Sequence, residues 1–305
     1  LCRFILPSLL ETAVLFMKIE SKTSQPTQMP RAPLRGFERA IVPFHEKLNQ
    51  SARGQRGIAF WQRHAAGRFV RWLTRERWQI QGLERIQAAP PKRGTILVSN
   101  HRSFFDMFVT LSVLFVEYGM YRNLFFPVRA TFFYTNPLGP FVSGLFSGFS
   151  MWPPVFRDSR RTTLNPIGVR QLLEVLEQPG SCIGVHPEGR RHSHADPSVF
   201  LPAKPGIGHM VLDTHPDTMI VPMFIEGLNN DFMDQVWMRV LPARRRNANP
   251  IRWVFGDPIR AGDLREKGDP QAIADYILHE KIAELASEAE TGHQTTAHRQ
   301  ASAGG

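Results

Sequence analysis

The chain has 305 residues, 42% of them hydrophobic and 21% charged, enough to bury a sizeable core in one large domain with terminal extensions. Its net charge of +10 points to an anionic partner, whether nucleic acid, an anionic membrane surface, a phosphorylated substrate or an acidic carrier protein, against the plain alternative of a solvated basic surface. Only two cysteines, Cys2 and Cys182, stand far apart, so a disulfide framework or CxxC metal site is excluded and a reducing compartment is the simpler expectation.

The apolar start "LCRFILPSLLETAVLFMKIE" is interrupted by Pro7 and Glu11, falls short of the ~20 residues a membrane span needs and is followed by no small-residue cleavage site. Met17 and Met29 are alternative starts. A Ser/Thr/Gln/Pro-rich linker follows at 21–34, so residues 1–50 read as a partly disordered extension. From 58 to 78, Trp61, Ala65, Phe69, Trp72 and Leu73 recur at helical spacing with Arg63, Arg68, Arg71 and Arg75 largely between them. Segment 51–82 is therefore expected to be an amphipathic helix, lying in a membrane interface or packed on the core with a solvated basic face.

Strands and helices then alternate. "TILVS" (95–99), "SCIGV" (181–185), "MIVPMFI" (219–225) and "IRWVF" (251–255) read as short strands, with helical stretches near 105–117, 165–178 and 206–214. The expected fold class is α/β, a mostly buried central mixed sheet flanked by helices over 83–265, with the N-terminal amphipathic segment in front. A final helix begins where Asp269 can cap and Pro270 occupies the first turn, and a polar, disordered tail completes 266–305. The uncharged stretch 131–156 is too broken by Pro137, Pro140, Pro153 and Pro154 to be a spanning helix. Its phenylalanines suit either an apolar lining for a hydrocarbon ligand, a shallow membrane contact or plain core.

Two segments carry candidate chemistry. In "NHRSFFD", His101 falls in the turn after a strand and Asp106 on the first turn of a helix. A carboxylate on one imidazole nitrogen fixes the tautomer and stabilises the imidazolium, giving a general base for an alcohol. The plain alternative is a capping box between Ser103 and Asp106, to which Asp is a poorer fit than Glu or Gln. In "HPEGRRHS", a Pro-Glu-Gly turn follows an apolar strand, with Arg190 and Arg191 beyond it. Glu188 can hold a substrate hydroxyl or orient an arginine, and paired arginines suit a phosphate. The set His186, His192, His194 and His209 lacks Cys or carboxylate ligand spacing and is not expected to bind metal. "ARRR" (243–246) reads as a solvated hairpin that can touch phospholipid headgroups.

Together the two segments resemble the first and third motifs of the phospholipid/glycerol acyltransferase family, typified by lysophosphatidic acid acyltransferases. Asn100, His101 and Asp106 match Asn-His-x4-Asp in full. Pro187, Glu188, Gly189 and Arg191 match the third motif, Phe-Pro-Glu-Gly-Thr-Arg-Ser, while His186, Arg190 and His192 depart from it. "MWPPVFRD" with Arg157 is similar to the end of the second motif, "IVPMFIEG" to the fourth, and Arg129 stands where lysine is common. The resemblance covers roughly 80–260. It implies that His101, oriented by Asp106, deprotonates a glycerol-type hydroxyl, which attacks an acyl thioester of coenzyme A or acyl carrier protein. Arg191, Arg157 and Lys204 would hold the acceptor's phosphate, Glu188 and Gly189 would shape its site, and Arg129 or backbone N–H groups would meet the oxyanion. No cofactor, metal or acyl-enzyme is implied, as neither cysteine is near the histidine and no Gly-x-Ser-x-Gly elbow appears. The expected setting is the cytoplasmic face of an anionic membrane, bound peripherally or monotopically, with 1-acylglycerol-3-phosphate a representative acceptor. The alternatives are a different amphiphile (aminolipid, lysolipid or glycan), or a non-enzymatic membrane- or nucleic-acid-binding protein. No nucleic-acid-binding signature supports the last.

Overall fold

A computed structural model describes residues 27–88, 93–192, 194, 196–240 and 249–291. The apolar start, the first part of the linker (21–26), "ARRR" and the tail beyond Thr291 lie outside the described residues. The centre is a seven-stranded mixed sheet built from β1 (Trp78–Gln81), β2 (Thr95–Ser99), β3 (Asn123–Phe125), β6 (Ser181–Val185), β7 (Met219–Glu226), β8 (Ile251–Phe255) and β9 (Ile259–Arg260). The order is β1-β8-β7-β2-β6-β3, with β9 also on β7; β4 (Val128–Arg129) and β5 (Pro154–Val155) form a separate parallel pair. β2 lies parallel between β6 and β7, whereas β7 and β8 are antiparallel, so the sheet is mixed as the sequence suggested.

Period-two alternation sorts the strand residues onto two buried faces. Leu97, Cys182, Val221, Met223 and Trp253 face one core layer, with Phe108, Leu111 and Phe115 from the helix Asp106–Leu111 and its continuation. Ile96, Val98, Ile183, Ile220 and Val254 face the other, against Ile207, Val211, Ile273, Ile277 and Ile282. With helices on both faces, the central strands have no solvated side, and β2 is buried at all five residues. The C-terminal helix starts as expected: Asp269 accepts from the backbone N–H of Ala272, and Pro270 occupies the first turn.

The segment 51–82 differs from a single helix. It is helical from Ala52 to Thr74, with a π-turn over Gln62–Ala66, and Trp78–Gln81 then becomes β1, paired in parallel with β8. One face packs on the domain through Ile58, Gln62, Ala66, Val70 and Leu73. Gln62 caps the sheet edge: its Nε2 donates to the Leu124 carbonyl at 2.8 Å and its Oε1 accepts the Leu124 N–H at 3.0 Å. The other face exposes Phe60, Trp61, Phe69 and Trp72, the first at 65%. The core-packed reading thus describes the inner face of this helix. The stretch 131–156 forms two short helices, Ala130–Phe133 and Leu138–Ser147, and no described helix is long and apolar enough to cross a membrane.

Candidate active site

The site forms where β2 and β6 end. After Ser99, Asn100 turns its side chain onto β7, donating from Nδ2 to the Ile225 carbonyl at 2.8 Å and accepting the Ile225 N–H on Oδ1 at 2.9 Å. This two-point bridge fixes the strand end and sets the direction in which His101 leaves. Asp106 is fully buried at the start of its helix, and Oδ2 accepts the backbone N–H groups of Arg102 and Ser103, each at 2.9 Å. The same oxygen faces His101 Nδ1 at 3.1 Å. The capping and the catalytic readings therefore converge on one atom: the carboxylate reaches back to the turn as a capping residue does, and it also holds the imidazole. Because Oδ2 is an acceptor, the network assigns the proton to Nδ1 and leaves the Nε2 lone pair free to take one.

The downstream segment docks directly on this turn. Glu188 is 2% exposed, and both carboxylate oxygens are used by backbone N–H groups: Oε1 by His101 at 2.8 Å and Oε2 by Leu201 at 3.0 Å. Expected to meet a substrate hydroxyl or an arginine, this carboxylate instead ties the two segments together. The His192 N–H donates to the His101 carbonyl at 2.9 Å, adding a second tie. Gly189 sits in the left-handed region with φ of 65°, where a side chain would strain the turn.

His186, which replaces the family's usual phenylalanine, stacks on His101 with ring centroids 3.9 Å apart and planes 9° from parallel. Its Nδ1 lies 3.0 Å from the Asn100 carbonyl and 3.2 Å from that of Ser99, which requires a proton there. The described cluster of metal-ligand type is His101, Asp106 and His186, with ligand atoms within 4.8 Å, rather than the four-histidine set considered from sequence. Near-parallel stacked rings direct their in-plane lone pairs side by side instead of toward one ion, and both Nδ1 atoms are engaged.

Burial, with the Arg191 charge added, lowers the His101 pKa to about 3, and burial with its His101 neighbour lowers that of His186 to about 3. Burial pushes Asp106 up to about 6, against the pull of His186 and of the two backbone N–H bonds. At neutral pH the pair is thus a neutral imidazole beside a carboxylate, the combination a general base requires. Burial opposes the imidazolium that forms on proton transfer, and Asp106 at contact distance is the group placed to offset part of that cost.

Around this centre the basic residues divide. Arg129 and Arg191 stand on the wall of a cavity of about 900 Å³, otherwise lined mainly by apolar groups that include Trp61, Phe69, Phe104, Phe133, Val142 and Phe146. Asn230 joins them: its Oδ1 accepts both Arg191 Nη1 at 2.7 Å and the Phe104 N–H at 2.9 Å, fixing the arginine to the histidine segment. Lys204 and Gly189 line a smaller recess of about 190 Å³ that includes His186. Arg157 donates to the Gly189 carbonyl at 2.6 Å, and burial, with Arg129 and Arg190 nearby, holds it below the usual guanidinium range. His101 is in the wall of neither recess; it stacks on His186, which lines the smaller one, and feels the charge of Arg191, which lines the larger. The sequence reading missed Asn230, which carries no local signal, and the His101–His186 stack, for which the unusual histidine before Pro187 was the only clue.

A family model described as Acyltransferase matches residues 77–226, which include both segments. No curated protein matches the chain. Among solved structures, the crystal structure of the 1-acyl-sn-glycerophosphate (LPA) acyltransferase PlsC from Thermotoga maritima is similar at 17% identity and a TM-score of 0.46, over 80% of this chain and 87% of that one. The chain belongs to the acyltransferase family that its Asn-His-x4-Asp and Pro-Glu-Gly segments resemble.

Proposed function

We propose that the protein is an O-acyltransferase of phospholipid biosynthesis. It moves a fatty acyl group from a coenzyme A or acyl carrier protein thioester to the hydroxyl of a glycerol-phosphate-type acceptor such as 1-acylglycerol-3-phosphate. The observation that carries this reading is the buried Asp106 carboxylate on His101 Nδ1, in a segment whose Phe104 lines a large apolar cavity that also carries Arg129 and Arg191. In the reaction, His101 Nε2 takes the acceptor's hydroxyl proton as the oxygen attacks the thioester carbonyl. The tetrahedral oxyanion is met by Arg129 or by backbone N–H groups. As it collapses, the C–S bond breaks and the thiolate leaves with the proton held on Nε2, so His101 returns to its neutral state. Arg191 attracts the acceptor's phosphate, with Arg157 and Lys204 contributing from the far side of the turn, and the apolar cavity takes hydrocarbon chain.

The same reading places the protein peripherally or monotopically on the cytoplasmic face of an anionic membrane. In support, the exposed Phe60, Trp61, Phe69 and Trp72 share their helix with several arginines, and Phe132, Phe141 and Leu145 are exposed nearby in sequence to the cavity wall. The test is acyl transfer by purified His101→Ala, expected to fall by at least about 10²-fold with an unchanged circular dichroism spectrum. An unaltered rate refutes the assignment. Acceptors with and without a phosphate, assayed with Arg191→Ala, separate a glycerol-phosphate lipid from an aminolipid, lysolipid or glycan: a selective rise in KM for the phosphorylated acceptor supports the former.

A further inference from the structure

The helix that begins at Ala52 carries arginines of two kinds. Arg71 and Arg75 both pair with the one carboxylate of Glu117, at 2.6 and 3.0 Å. Arg56 and Arg63, further up, form no ion pair among the described residues. Together with Arg122 they line a recess of about 400 Å³ between this helix and the β3 edge of the sheet, whose lining includes His64, Phe60 and Asn123 and no carboxylate. Arg63 makes only long contacts to the carbonyls of Gly119 and Tyr121, at 3.5 and 3.4 Å. Three arginines around one recess, with no carboxylate among its described lining residues, concentrate positive charge there, which an oxyanion with several acceptor oxygens matches. Phe60 and His64 lie over one side with ring centroids 4.8 Å apart, giving the recess an aromatic wall. Its floor holds Asn123 and Ser181, which are buried and begin β3 and β6.

We propose that this recess is a second anion site, built for a phosphate group and distinct from the catalytic centre. The separation is set by the sheet: the recess opens where β6 begins, whereas His186 follows where β6 ends, so a five-residue strand of roughly 17 Å stands between them. The ligand is therefore not the acceptor or thioester undergoing reaction. Its shared chemistry is a phosphate mono- or diester, from either a free phosphorylated compound or a lipid headgroup. The exposed Phe60 at the rim suits the second source, since an aromatic ring beside arginines fits the interfacial zone of a bilayer.

The test compares three full-length proteins: the parent, Arg56→Gln/Arg122→Gln, and a charge-matched control, Lys47→Gln/Arg68→Gln, whose positions lie outside the recess. Each is titrated with inorganic phosphate by calorimetry and with vesicles of phosphatidylcholine containing phosphatidic acid by flotation, after its denaturation midpoint is matched to the parent's. The expected result is a roughly tenfold weaker binding of at least one probe by the recess variant and no comparable change in the control. Loss for both probes establishes a site that takes phosphate from either source. Loss confined to the vesicles assigns it to a headgroup, and loss confined to inorganic phosphate assigns it to a soluble compound. Unchanged binding by the recess variant, or an equal loss in the control, overturns the proposal, because binding then reflects net charge alone.

Discussion

Replacing Glu188 with glutamine separates two roles that one carboxylate could play. The group is buried and accepts one backbone N–H on each oxygen, from His101 at 2.8 Å and Leu201 at 3.0 Å. Glutamine keeps the shape but has only one acceptor oxygen, so its NH₂ must face the second backbone N–H, donor against donor. A hydrogen bond to a charged acceptor contributes about 1.5–3 kcal/mol, and a buried donor left unpaired costs about 1–3 kcal/mol. Relief of carboxylate desolvation offsets part of this, leaving an expected loss of about 2–4 kcal/mol. The His101 backbone loses one of its anchors, so kcat should fall while the acceptor KM changes little. Urea denaturation gives the stability change, and steady-state acyl transfer with varied acceptor gives the kinetic split. If Glu188 instead contacted the acceptor, the denaturation midpoint would stay at the parent value and KM alone would rise; that outcome refutes the reasoning.

Two further expectations follow from the site. Acidification should destabilise the fold through the stacked histidines: their folded pKa values lie below the ordinary 6.5, so the stability they contribute is complete above pH 6.5 and declines as pH falls toward 3. Asp106, raised to about 6, acts in the opposite sense, contributing below about pH 4 and losing that contribution as pH rises through 6, but with a smaller shift. His186→Phe should remove one proton's worth of this linkage, about 2 kcal/mol between pH 6.5 and 5, and identical denaturation slopes in the two proteins would count against it. Filling the 900 Å³ cavity with Val142→Trp should shift acyl transfer toward shorter chains, with kcat/KM for long chains falling by about tenfold or more; an unchanged chain-length profile in a competition assay would mean that the hydrocarbon binds elsewhere.

Much of the scaffold could be read locally. "TILVS", "SCIGV" and "IRWVF" are strands at the expected residues, because runs of apolar and β-branched residues bounded by breakers are recognisable without their partners. β1 escaped notice because "WQIQ" is short, half polar and continuous with a helical pattern. Its pairing with β8, far downstream, is what makes it a strand. The extent of the core helix was similarly obscured, since Gln62, polar and buried, is satisfied only by the edge of β3.

The sequence by itself determined the chemistry on offer: a histidine and an aspartate five residues apart after one strand, and a Pro-Glu-Gly turn with arginines after another. Residue type and short-range spacing are local properties, and a strand end followed by a helix start places its side chains by backbone geometry alone. Only the tertiary structure decided how these parts are used. It turned Glu188 inward onto the histidine turn, stacked His186 on His101, split the basic residues between two recesses and gathered three arginines, without an ion pair among the described residues, at the opposite end of the sheet. Each of those outcomes depends on which groups meet across long sequence separations, and burial and neighbouring charge then fix what a given side chain can do.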